Sequence, residues 1–96
     1  MAAETMKICR DQVKIIQAIS YDPIFEDERP GRHYSYYIGF EDEFGVACRL
    51  SPYFMSKFKA IQALANNDYS KEISVTTFPN GNKIYSTLNA IPTIEY

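Results

Sequence analysis

The stretch QVKIIQAIS, residues 12–20, decides how the chain is read. With a period of two, Val13, Ile15 and Ile19 share one face, and Gln17 interrupts it. As part of a helix beginning near Glu4, Met6, Cys9, Val13 and Ile16 form one stripe instead. Three isoleucines and a valine within seven residues favour the extended form from about Val13, because β-branched side chains fit a pleated surface. Residues 1–11 are then a flexible or helical lead-in. If residues 4–19 are helical, the order of elements becomes αββαββ and the class α+β.

Beyond Ser20 the elements are easier to separate. YDPIFEDERPGR, residues 21–32, holds two prolines, a glycine and four acids, which predicts a long solvated loop. Residues 33–41 alternate, with Tyr34, Tyr36, Ile38 and Phe40 on one side and His33, Ser35, Tyr37, Gly39 and Glu41 on the other. After the acidic turn EDEFG, Val46, Cys48 and Leu50 face one way and Ala47 and Arg49 the other. Residues 33–50 therefore read as a β-hairpin. Ser51-Pro52 reads as the start of a helix, with Ser51 as N-cap. Phe54, Phe58, Ile61, Leu64 and Ala65 would form its buried stripe, and Asn66-Asn67-Asp68 its end. In KEISVTTF, residues 71–78, Ile73 and Val75 face inward. PNGN, residues 79–82, signals a tight hairpin turn. In KIYSTLNAI, residues 83–91, Ile84, Ser86, Leu88 and Ala90 alternate with an outward set headed by Tyr85, and Pro92 ends the strand or marks it as an edge.

This order, β-β-β-α-β-β over residues 12–91, resembles the oligonucleotide/oligosaccharide-binding fold (OB-fold). That fold is a small five-stranded barrel with one helix between strands three and four. The resemblance lies in element order and is closest to compact single-stranded-DNA-binding members. It implies a mainly β single domain spanning residues 1–96. The helix stripe would plug one end of the barrel.

Composition narrows the function classes. At 46% hydrophobic residues the chain is too apolar for disorder, and eight Tyr and six Phe supply a core. A net charge of −2 argues against holding duplex nucleic acid by bulk charge. Single strands stay open as ligands, because stacking supplies part of that energy. No apolar run approaches the ~20 residues that span a membrane. Cys9 and Cys48 are the only cysteines, too few for a disulfide scaffold, and read as free thiols in a cytoplasmic protein.

Catalytic chemistry finds little support. One histidine and two distant cysteines do not form a metal-binding pattern, and no cofactor motif is present. Cys48 and His33 fall on opposite faces of the hairpin, so they cannot act as nucleophile and base. The acid runs 26–28 and 41–43 read as solvated turns. The expectation is a non-enzymatic binding protein.

The OB-fold resemblance implies a ligand face on the outside of strands two and three, flanked by two loops. In this sequence it selects Tyr37, His33 and Ser35 with Arg49. The first loop adds Arg29 and Arg32, and the second Phe78, Asn80 and Lys83; Tyr85 follows. Tyr37, Phe78 and Tyr85 would stack bases while Arg32, Arg49 and Lys83 neutralise phosphates. Each aromatic could equally be covered by a neighbour. The expected ligand is single-stranded DNA, ahead of RNA. The rival from another class is a protein–protein interaction module, such as a small inhibitor, adaptor or complex subunit. The acidic charge favours that rival. A homo-oligomer joined at strand edges is compatible with both.

Overall fold

In the computed structural model the deciding stretch is a strand. The structure describes the backbone of residues 2–22 and 31–95 and the side chains of residues 3–19 and 34–94. The strands are β1 (Ala2–Lys7), β2 (Lys14–Asp22), β3 (Gly31–Glu41), β4 (Ala47–Arg49), β5 (Tyr53–Phe54), β6 (Glu72–Thr77), β7 (Lys83–Thr87) and β8 (Ile94–Glu95). The helix α1 (Lys57–Asn66) lies between β5 and β6. Among the described residues the protein is mainly β with one α-helix, and the αββαββ alternative is set aside.

Two sheets form instead of a closed barrel. The smaller has the order β1-β6-β7, and the larger has β2-β3-β5-β8 with β4 also paired to β3. All pairs are antiparallel except β5 with β8. The barrel stays open because, among the described residues, no ladder joins the edge strands of the smaller sheet, β1 and β7, to those of the larger. Residues 2–7 are thus not a flexible or helical lead-in: they run the length of β6, from Ala2 opposite Thr77 to Lys7 opposite Glu72. The Ile8 N–H extends this ladder to the Lys71 carbonyl at 2.7 Å. A 3-10 turn at Arg10–Gln12 then redirects the chain into the larger sheet, with the Cys9 N–H donating to Gln12 Oε1 at 2.9 Å.

The core has two parts. Ile8, Phe40, Cys48, Leu50 and Ile73 pack between the sheets, while Ile38 and Phe54 pack against Ala60 of α1. Val13 and Tyr69 touch both groups and make them continuous. Each fully buried Ile or Leu contributes roughly 1.5–3 kcal/mol of transfer free energy.

The helix begins later than Ser51. Ser51 is fully buried, and its Oγ accepts from the Ile38 N–H at 2.8 Å while donating to the Pro52 carbonyl at 2.8 Å. This hydroxyl replaces a ladder acceptor where the partner of β3 bulges. Gly39 faces Arg49 in β4 and Tyr36 faces Phe54 in β5, so the partner segment carries two extra residues. Ser56 is the true N-cap, its Oγ accepting from the Lys59 N–H at 3.2 Å. The shifted start turns Ala60, Ala63 and Leu64 to the core. Phe58 and Ile61, expected in the buried stripe, are 67% and 48% exposed.

The last hairpin inverts the expected faces of β7. A two-residue Asn-Gly turn would need positive φ at Asn80, but only Gly81 has it, at +89°. The loop is three residues long, closed by the Phe78 N–H on the Asn82 carbonyl at 2.8 Å. Val75 therefore pairs with Tyr85 and Ile73 with Thr87. Directly opposed residues share a face, so Tyr85 follows Val75 inward while Ile84 and Leu88 stay exposed. The turn after β3 is built the same way: Asp42 N–H bonds the Val46 carbonyl at 3.0 Å, and Gly45 has φ +82°.

Candidate binding surface

The pleat of β3 puts Tyr37 on the outer face of the larger sheet. Its ring meets Tyr53 of β5 edge to face, with centroids 5.6 Å apart. Arg49, opposite Gly39 in the ladder, lays its guanidinium 4.7 Å from the Tyr53 centroid. Arg49 Nη1 also donates to the carbonyls of Ser51 at 2.8 Å and Pro92 at 3.0 Å. Gly39 leaves room for Tyr37: a Cβ there would stand 2.9 Å from the Tyr37 ring and 2.5 Å from the Cys48 carbonyl oxygen. Burial, then the neighbouring Tyr53 and Glu41, raise the Tyr37 phenol above its ordinary pKa.

Beside this cluster the sheet opens into a groove of about 450 Å³, lined by Ala18, Ile19, Tyr34, Ser35, Tyr53, Met55, Thr93 and Ile94. No lining residue is charged. Ile19, Tyr34, Met55 and Ile94 are large apolar side chains left exposed. Beta8 supplies the far wall because it pairs with β5, Tyr53 opposite Ile94.

A second recess, of about 720 Å³, lies between the two glycine turns. Phe44, Val46, Phe78 and Ile84 line it with Asp42, Asn80, Asn82 and Lys83. Asp42 is held by its own turn. Its Oδ1 accepts from the N–H groups of Phe44 and Val46, both at 2.9 Å.

The expected site residues are thus divided. Tyr37 and Arg49 are together on the outer face, as the alternation predicts. Phe78 and Lys83 sit apart from them in the recess between the turns. Tyr85 is not on the outside: it packs edge to face on Phe40, centroids 5.3 Å apart, and its hydroxyl donates to Asp42 Oδ2 at 2.8 Å. The side chains of Arg32 and His33, and all of Arg29 and the 26–28 acids, lie outside the described residues. Tyr53, Met55 and Ile94 escaped the sequence reading, which put the first two in a helix. The signal for them was Ser56, an N-cap as good as Ser51 and one that frees Tyr53-Phe54 to extend.

Among the described residues no group of three or more His, Cys, Asp or Glu is placed to hold a metal. Cys48 is buried and Cys9 exposed, and both are free. Burial raises the Cys48 thiol above its ordinary pKa. No helix among the described residues is long and apolar enough to cross a membrane. No family model matches the chain, and comparison with curated proteins and with solved structures finds no match.

Proposed function

We propose that the chain is a non-enzymatic protein-binding module that takes an apolar segment of a partner into the groove beside Tyr53. The observation that carries this is the groove's lining: four exposed large apolar side chains and no charge. Grooves that track a nucleic-acid backbone are positively charged, whereas apolar recesses with aromatic walls are typical anchor points for protein partners. The test is selection of random peptides displayed on phage. Apolar peptides should be enriched, and their binding should be lost in Met55→Asp and Ile94→Asp but kept in Phe58→Asp. Failure to enrich, or enrichment that survives both groove substitutions, overturns the proposal.

The Tyr37–Tyr53 ring pair with Arg49 beside it favours a second reading, single-stranded DNA or RNA stacked on the outer face. Under that reading, labelled dT oligomers bind at low salt, where attraction is least screened, and Tyr37→Ala weakens them. The tie of Arg49 to two carbonyls, and the net charge of −2, place this reading second.

A further inference from the structure

Beta2 is the outermost strand of the larger sheet, and among the described residues no strand pairs with its free side. Which backbone groups face that side follows from Ile38. Its N–H goes to Ser51 Oγ and its carbonyl to the Leu50 N–H, both away from β2. Ile15 stands opposite Ile38, so this is a non-bonded pair of the ladder. The N–H and C=O groups of Ile15, and by alternation of Gln17 and Ile19, therefore point to the open edge. Lys14, Ile16 and Ala18 make the bonds to β3.

Edges are ordinarily protected by lysine, proline or a bulge. Residues 15–20, IIQAIS, contain no charge and no proline, and their pairing with β3 is unbroken. The neighbouring Lys14 is already paired with Glu41, Nζ to Oε1 at 3.1 Å. Gln17, which interrupts the apolar face of the strand, sits midway between Ile15 and Ile19.

The apolar pattern is symmetric about Gln17, and so is the set of free backbone groups. An antiparallel two-fold axis at Gln17 joins Ile15 to Ile19, Ile16 to Ala18, and Gln17 to Gln17 of the second copy. Apolar meets apolar, and each carboxamide meets one that can both donate and accept. Moving the pairing by one step of two residues sets Gln17 against an isoleucine. An isologous interface requires this kind of self-complementarity.

We infer that two copies of the chain join through β2, antiparallel about Gln17, into one continuous sheet. The half-exposed Ile19 is then covered by Ile15 of the second copy. This goes beyond the groove proposed above and rests on the strand edge; the two share Ala18 and Ile19, so Met55 and Ile94 report on the groove and Gln17 on the edge.

The test is the mass of the full chain by sedimentation velocity over a range of concentrations, with circular dichroism to confirm folding. Wild type should approach twice the 11.1-kDa chain mass as concentration rises. Gln17→Lys and Gln17→Glu should each dimerise at least about tenfold more weakly, because like charges then oppose each other on the axis. An equimolar mixture of the two should recover the dimer. Gln17→Pro removes an N–H that points to the open edge and spares every bond to β3, so it should fold and remain monomeric. The groove variant Met55→Asp should keep the wild-type mass. A wild-type monomer at every concentration, or a dimer indifferent to all three Gln17 variants, overturns the inference.

Discussion

Tyr85 donates to Asp42 Oδ2 across 2.8 Å, and this bond ties β7 of the smaller sheet to the turn that leaves β3 of the larger one. Both partners titrate abnormally. Burial opposes the charge on Asp42, but bonds from the Val46 N–H, the Tyr85 hydroxyl and the Phe44 N–H outweigh it and hold the carboxyl below its ordinary pKa. Burial, then the Asp42 bond, push Tyr85 up to about 12.

These shifts set a pH dependence. Asp42 contributes stability that is present above the ordinary carboxylate pKa and lost as pH falls through its lowered value. Tyr85 contributes stability that is present below 10.0 and lost as pH rises from there to about 12. Tyr85→Phe should flatten the alkaline limb of the stability curve. It should also reduce the acid limb without abolishing it, since two backbone N–H groups still bond Asp42. Urea unfolding across pH measures both limbs; superimposable curves for the two proteins would refute this account.

Ser51→Ala should destabilise the fold by about 1–3 kcal/mol, because it leaves the buried Ile38 N–H without an acceptor. Urea unfolding at neutral pH reads this loss. Ser51→Thr keeps the hydroxyl and should lose less.

Gly39→Ala should be destabilising by about 1–3 kcal/mol, through overpacking against a backbone oxygen that cannot swing aside. The Tyr37 ring has to move as well, so the near-ultraviolet dichroism of the tyrosines should change. An unchanged spectrum and midpoint would show that the strand yields at no cost.

The helix offers a direct contrast between two faces. Phe58→Ser and Ile61→Ser, both on the exposed side, should shift stability by no more than about 0.5 kcal/mol. Ala60→Leu, at a fully buried position, should destabilise by about 1–3 kcal/mol. The reverse ranking would restore Phe58 and Ile61 to the core.

Local pattern alone carried much of this architecture. Alternation over residues 33–41 put Ile38 and Phe40 inside and Tyr37 outside, because the pleat allows no other division once one face is buried. The β-branched run at 13–19 made β2 a strand for a similarly local reason. The last strand shows where such reading stops. PNGN announces a hairpin, but one residue more in the loop turns Tyr85 inward onto Phe40 and Ile84 outward. Ser51 was a plausible cap by residue type, yet the buried Ile38 N–H claimed its hydroxyl and delayed the helix to Ser56. The pairing of β1 with β6 and of β8 with β5 joins residues far apart in the chain. The sequence determined the faces of β3 and the presence of a helix after it. Only tertiary packing decided the helix start and which edges remain open, because each depends on hydrogen-bond partners that no local window contains.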